Sequence, residues 1–329
     1  MDNLFYEYIL NPSKRIYWLY ILSSILISLV YLYFHKNERK LLFSRKYWFH
    51  KSTRLDFYYF FISHFIKVLI LLPMLFGVKE VAIFTYRFLL KNFGFYLSDN
   101  FTYMQIVLFY TLAIFIFSDL SRYFLHRFLH TNKFLWRFHK VHHSAKILNP
   151  LTFYRVHPLE NFLFGLRYSL IIGIITGIFI YFFGAKFNLY SIFGVNIFLF
   201  IFSLLGTNLR HSPIKLSYFK YLEYIFISPR QHQIHHSVKF YNKNFGGYLA
   251  IWDTLFGSLK LSSEAKITKL GLRKKEMKNY ETVGGLLFSP LIFKRKEKKN
   301  EYKECKKHNF MYFRNIFAKC LYFSKSIKN

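Results

Sequence analysis

Eight of the chain's 14 histidines fall in three short runs: His126-Arg-Phe-Leu-His130, His139-Lys-Val-His142-His143 and His232-Gln-Ile-His235-His236. On a helix, residues three and four apart share a face, with Cβ atoms about 5 to 6 Å from one another. Each run can therefore offer two or three imidazoles to a common centre. So many imidazoles packed together without metal would leave polar nitrogens unsatisfied or, if protonated, crowd like charges, and either costs several kcal/mol. A divalent metal removes both penalties. Eight ligands exceed the four of a tetrahedral zinc site, so two ions are expected, and imidazole suits iron, copper and zinc alike. His157, in Arg155-Val-His157-Pro-Leu-Glu160, and His211, in Asn208-Leu-Arg-His211, are two further candidate ligands. Asp119 lies seven residues before His126, on the same helical face, and is expected to accept the outer ring N–H of a ligand; Arg155, Glu160 and Asn208 are the other candidate neighbours of the metal ligands. His35, His50, His64 and His308 stand alone and are expected to be structural. Cys305 and Cys320 follow no metal-ligand spacing, which restricts the ligands to nitrogen and oxygen.

Long apolar segments must position these histidines. Ile16 to Phe34 runs 19 residues without a charge, about enough to cross a hydrocarbon core of ~30 Å at 1.5 Å per residue. The run is too long for the apolar core of a cleaved signal peptide, and no small-residue cleavage site follows it. Further spans are expected at Phe57 to Phe76, Phe101 to Ser118, Tyr168 to Phe183 and Phe187 to Leu205. The third continues without Gly or Pro into the first histidine run, as one long helix leaving the bilayer, and the last two form a hairpin. Between His35 and Arg54 lie seven Lys or Arg, against three between Gly77 and Asn100, so the first loop is expected in the cytoplasm. Threading the chain from there puts every histidine run on the cytoplasmic side.

Composition agrees with a membrane protein. Of 329 residues 53% are hydrophobic and 22% aromatic, with a net charge of +31, which is too apolar and too basic for one soluble globule. Disorder is excluded for most of the chain, because this much apolar side chain offsets the entropy of folding. No nucleic-acid motif accompanies the charge, so anionic lipid head groups are the expected partner. Residues 293–329 carry twelve Lys or Arg against three Glu and are expected to be a basic, surface-adhering tail.

The three histidine boxes around a hydrophobic hairpin resemble the membrane-bound fatty acid hydroxylase superfamily and, within it, the sterol desaturase family. The stretches Ser118-Asp119-Leu-Ser-Arg-Tyr123-Phe-Leu-His126-Arg127, Arg155 to Glu160, Thr207 to Ser212, Ser228 to Ser237 and Asn244 to Ser258 carry the likeness to bacterial members, over about residues 104–290. Pro213 stands where the nearest subgroup has a further histidine. The resemblance implies a non-haem diiron site that uses O2 to hydroxylate or desaturate a C–H bond of a lipid. It implies the same ten histidines as the iron ligands. No G-x-G-x-x-G follows a strand, so electrons are expected from a separate electron-transfer protein docking on the basic face.

The expected architecture is thus an all-α integral membrane protein with four to five spanning helices and a cytosolic helical cap that holds a histidine-rich dimetal site. Residues 1–100 form its N-terminal membrane region, 101–290 the catalytic domain and 291–329 the tail. Two rival readings make different demands on the sequence. A histidine-rich metal transporter should place its ionisable residues at the bilayer midplane, and a zinc hydrolase should carry H-E-x-x-H; the sequence does neither.

Overall fold

The computed structural model describes residues 9–42, 44–71, 77–98, 100–184, 191–192 and 195–292. The chain divides into two compact units, Met1–Pro290 and Leu291–Asn329. The basic tail, Cys305, Cys320 and His308 lie outside the described residues.

The first unit is built from helices: α1 (Trp18–Phe34), α2 (Lys51–Ile66, continued by a π turn Lys67–Leu71), α3 (Val78–Phe93), α4 (Tyr103–Thr131), α5 (Lys133–His143), α6 (Pro158–Phe183), α7 (Ile197–Leu204), α8 (Pro229–His235), α9 (Ile251–Leu255) and α10 (Val283–Phe288). The one strand ladder among the described residues pairs Ser191–Ile192 with Val195–Asn196, antiparallel. All-helical architecture is as expected. Two helices, α4 and α6, are long and apolar enough to cross a membrane, and α1 is apolar but shorter at 17 residues. The second expected span begins six residues late: α2 starts at Lys51, and residues 72–76 lie outside the described set. Of the fifth, only α7, eight residues long, is described as helix.

Helix termini follow local chemistry. Thr102 and Gln105 close a capping box at the start of α4, and His157 with Pro158 opens α6, which stops where Gly184 turns left-handed at φ 68°. α6 packs tightly against α3, which the sequence pattern did not single out. Gly173 and Gly177 make it possible. A Cβ on Gly173 would lie 2.5 Å from Val81 Cβ, and one on Gly177 would lie 2.6 Å from both the Ala82 carbonyl and Thr85 Cβ. Small residues four apart are what lets two backbones approach in lipid, where no hydrophobic force drives the helices together.

The outward faces are apolar. Leu22, Leu26 and Leu29 on α1, Phe57 and Phe65 on α2, Phe84 and Phe88 on α3, Leu108 and Phe117 on α4 and Ile174 on α6 are exposed, Phe84 at 71%. Apolar side chains exposed on five helices are costly in water. Inside, Tyr110, Ile114, Ile172 and Ile175 pack α4 against α6. Replacement of Gly177 by Val should force α3 and α6 apart and lower stability by about 1 to 3 kcal/mol, read as a fall in the thermal midpoint of the detergent-solubilised protein.

Candidate metal centre

One residue turns the chain back at the end of the long helix. Asn132 terminates α4 and caps α5, its side-chain oxygen accepting from the backbone N–H of Phe134 (2.9 Å) and Leu135 (3.1 Å). Because α5 then folds against α4, His139 and His143 meet His126 and His130. The third run is placed by α8, where Ser228 and Gln231 form a capping box and Pro229 takes the first helical position. The buried Glu223 carboxylate anchors that cap, accepting from the Ser228 hydroxyl at 2.7 Å and the Ser262 amide at 2.9 Å.

The histidines form two adjoining groups. His126, His130, His139, His143 and His235 make one, and His142, His211, His232 and His236 the other, with the ligand atoms of each within 4.8 Å of one another. The rings of His143 and His236 stack at 4.7 Å between centroids where the groups meet. Each H-x-x-H-H run is therefore split between two centres, instead of serving a common one as its spacing alone implied. Residues four apart stay together, His139 with His143 and His232 with His236, whereas His142 and His235 cross over. Helical geometry explains it: a step of four residues rotates by about 40° and a step of one by about 100°, so neighbours point to opposite sides of the boundary.

The outer nitrogens are held from behind. His126 Nδ1 bonds the Phe245 carbonyl at 2.8 Å, His139 Nδ1 the Glu160 carboxylate at 2.8 Å, His235 Nδ1 the Lys243 carbonyl at 2.7 Å, and His142 Nδ1 the Arg155 carbonyl at 3.3 Å. With Nδ1 donating, Nε2 carries the lone pair and faces the centre. Burial first, then neighbouring charge, drives the imidazoles far below their ordinary range: His139 and His142 to about 3, and His143, His211, His232, His235 and His236 well below it. They are neutral at physiological pH and need lose no proton to ligate metal.

The donor set fits a cation. The Nε2 atoms of His211, His232 and His236 form a triangle with sides of 3.1, 3.1 and 3.2 Å. Three imidazole nitrogens cannot satisfy one another by hydrogen bonds alone, because each bond needs one N–H and one lone pair on a single axis. Among the described residues His130 and His143 have no hydrogen-bond partner for either ring nitrogen, and neither does His235 Nε2. Orphaned buried nitrogens at this density point to a missing electrophile.

Several expected residues stand elsewhere. His157, expected as a ligand, caps α6: its Nδ1 accepts from the Leu159 amide at 3.1 Å and its Nε2 bonds the Leu287 carbonyl at 3.0 Å, so both nitrogens are engaged away from the groups. Asp119 contacts no histidine. Its oxygens accept from the Tyr248 and Leu249 amides and from Trp252 Nε1, fixing the loop whose Phe245 carbonyl orients His126. Asn208 donates to the Arg15 carbonyl at 3.0 Å. Arg155 acts through its carbonyl on His142, while its buried guanidinium pairs with Asp56 at 2.9 Å. Glu160 alone among the four expected neighbours meets a ligand with its side chain.

Sequence reasoning passed over Asp56, Asp253 and the carbonyls of Lys243 and Phe245. Asp253 Oδ1 accepts from the Phe245 amide (2.8 Å) and the Ser258 hydroxyl (2.6 Å), and Oδ2 from the Gly246 amide (2.7 Å). Its place in the Asn244–Ser258 stretch was the available signal. Carbonyls leave none.

Fold and site together define a helical protein with a double histidine centre able to hold metal. Residues 111–258 match the family model for fatty acid hydroxylase. It is 30% identical to alkylglycerol monooxygenase of Danio rerio over 52% of this chain and 36% of that protein. It is 28% identical to the ornithine lipid hydroxylase OlsE of Rhizobium tropici over 50% and 46%, and 27% identical to human lathosterol oxidase over 45% and 44%. The chain thus spans less than half the length of each of these relatives. No solved structure matches it.

Two ions per chain are expected after iron reconstitution and metal analysis. Because the groups are distinct, His211→Ala combined with His232→Ala should leave about one ion per chain, and one ion should also remain in the pair His130→Ala with His139→Ala. Loss of both ions in either double variant would contradict separate centres. Glu160→Ala should weaken metal retention about 10- to 100-fold by releasing His139, measured by competition with a chelator.

Proposed function

We propose that the chain is a membrane-embedded oxidoreductase that hydroxylates or desaturates a C–H bond of a lipid, using O2 and two iron ions. The observation that carries this reading is the pair of adjoining groups of buried imidazoles at one end of two long apolar helices. The relatives lend support in the same direction, being an alkylglycerol monooxygenase, an ornithine lipid hydroxylase and a lathosterol oxidase. Nine residues are proposed to hold the irons: His126, His130, His139, His143 and His235 on one side, His142, His211, His232 and His236 on the other. When bound, such a pair supplies the capacity to reduce dioxygen and oxidise an unactivated C–H bond.

The protein's own contribution is placement and dryness. Glu160 and the carbonyls of Arg155, Lys243 and Phe245 fix the ring orientations, and Glu160 Oε1 holds the Nδ1 proton of His139. Val141, Ile234 and Phe245, all buried, help exclude water from the groups. Exposed apolar side chains on α1 to α4 give a hydrophobic substrate direct contact with the helices from the bilayer. Electrons come from a separate carrier docking on the basic cytoplasmic face. A transporter or a zinc hydrolase is less well supported, since nine nitrogen ligands exceed what either chemistry uses.

In the proposed topology four to five spans place residues 1–100 as an N-terminal membrane region, 101–290 as the catalytic domain and 291–329 as a basic tail, with the histidines in the cytoplasm. Lipid profiling of cells with and without the gene should reveal a lipid that gains an oxygen or a double bond only when the gene is present, and the product should vanish with His143→Ala. No such difference under aerobic, iron-replete growth would remove the activity. Sidedness is tested with single cysteines in a background lacking Cys305 and Cys320. Cysteines at Lys239 and Lys274, both exposed, should react with an impermeant thiol reagent only after permeabilisation, and one at Lys186 should react in intact cells. Labelling of Lys239 and Lys186 from the same face would contradict the hairpin.

A further inference from the structure

Four arginines from four segments surround the Gly247–Tyr248 peptide, on the flank of the histidine groups. Arg210, next to His211, donates from Nη1 to the Gly247 carbonyl and from Nη2 to the Ile227 carbonyl at 3.3 Å, and its guanidinium lies 5.7 Å from the centre of the Tyr248 ring. Arg122, one turn before His126 on α4, lies 5.5 Å from the same ring, and a Cβ on Gly247 would meet its Cδ at 2.7 Å. Arg167 on α6 donates to the Ser118 carbonyl and the Ser121 hydroxyl, each at 2.8 Å, beside Asp119. Arg15, just before α1, donates to the Thr207 carbonyl at 3.0 Å and covers the Phe153 ring at 4.2 Å.

Every acceptor in that set is neutral. Asp119 is the carboxylate that faces the group, yet both its oxygens are filled by the Tyr248, Leu249 and Trp252 N–H groups. Among the described residues none of the four arginines forms an ion pair. Among the described residues Arg122 makes no hydrogen bond, and the Nε–H groups of Arg167 and Arg210 have no partner. Burial, and after it the neighbouring Arg210, pushes Arg15 down to about 9. Four guanidiniums against one occupied carboxylate leave three positive charges unmatched, in a setting where an unmatched charge is costly. Arg122 and Arg15 are half-buried, so the group opens to the surface.

We propose that Arg15, Arg122, Arg167 and Arg210 form a binding site for a phosphate or carboxylate group, carried by a lipid head group where the apolar helices meet the histidine-bearing elements. Guanidinium forks match such oxygen anions in geometry as well as charge. The lipid source follows from location. Arg122 and Arg167 sit on the two long apolar helices, and exposed Phe117 and Phe124 on α4 bracket Arg122, so acyl chains reach the level of the site. The proposal does not depend on the metal or on any oxidation.

Native mass spectrometry of the purified full chain, offered phosphatidylglycerol or phosphatidylcholine, tests it. The wild type should retain one phosphatidylglycerol in clear preference to phosphatidylcholine. Arg122→Gln removes a guanidinium that has no hydrogen-bond or ion-pair partner among the described residues and should weaken that retention about tenfold with little change in the thermal midpoint. Lys275→Gln, which removes an exposed charge elsewhere, should not. Retention that survives excess inorganic phosphate assigns the site to a lipid head group; displacement by phosphate assigns the same arginines to a free anion. Equal retention of the two lipids by the wild type, an unaltered Arg122→Gln, or an equal loss in Lys275→Gln would overturn the proposal.

Discussion

Nine imidazoles brought together in two adjoining groups, with the Glu160 carboxylate behind them, impose the constraint to which the surrounding structure answers. Neutral rings at this spacing oppose their lone pairs, and charged rings would repel more strongly still. Cations between the nitrogens would relieve both penalties, provided every ring is held against rotation. Much of the first unit serves that requirement. Asn132 folds α5 onto α4, Ser228 fixes the start of α8, and Glu223 in turn fixes Ser228.

Behind the rings lies a layer of acceptors, mostly main-chain. The carbonyls of Lys243 and Phe245 are worth little as orienters unless the loop that carries them is rigid. Three side chains make it so. Asn244, with φ 57°, donates to the Gln231 and Lys260 carbonyls; Asp253 gathers the Phe245 and Gly246 amides; Asp119 gathers those of Tyr248 and Leu249. On the other side Arg155 is locked by Asp56, itself bonded to Asn149 and Thr152, so that its carbonyl meets His142. A buried ion pair of this kind gives little net stability over an apolar pair, but removal of one partner leaves an isolated charge. Its clear effect here is positional.

The apolar body meets the polar centre along α4. One helix, uninterrupted by Gly or Pro, carries exposed Leu108 and Phe117 in its first half and His126 and His130 in its last turns. Continuity of a single helix therefore ties the apolar first half of α4 to the position of the histidines. Arg122 and Asp119 occupy the change of environment, where a guanidinium reaches polar surroundings while its stem stays among apolar groups.

The sequence alone disclosed the helical class, the long α4 and the eight clustered histidines, because those follow from periodicity and from the chemical improbability of so many adjacent imidazoles. His211 was also legible, from its resemblance and not its spacing. Division of each H-x-x-H-H run between two groups was not, since spacing fixes which residues share a helix face but not which face looks at which neighbour. His157 shows the same limit: beside Pro158 it serves equally as a helix cap or a ligand, and the choice is made by the Leu287 carbonyl, 130 residues on. Asp119 lies on the ligand face of its helix yet binds the 248–252 loop, and the arginines around Tyr248 come from positions 15, 122, 167 and 210. Local pattern could reveal the donors, because their chemistry is written in single residues and short intervals. Their partners are carbonyls and side chains remote in sequence, which only the folded chain brings within hydrogen-bonding distance.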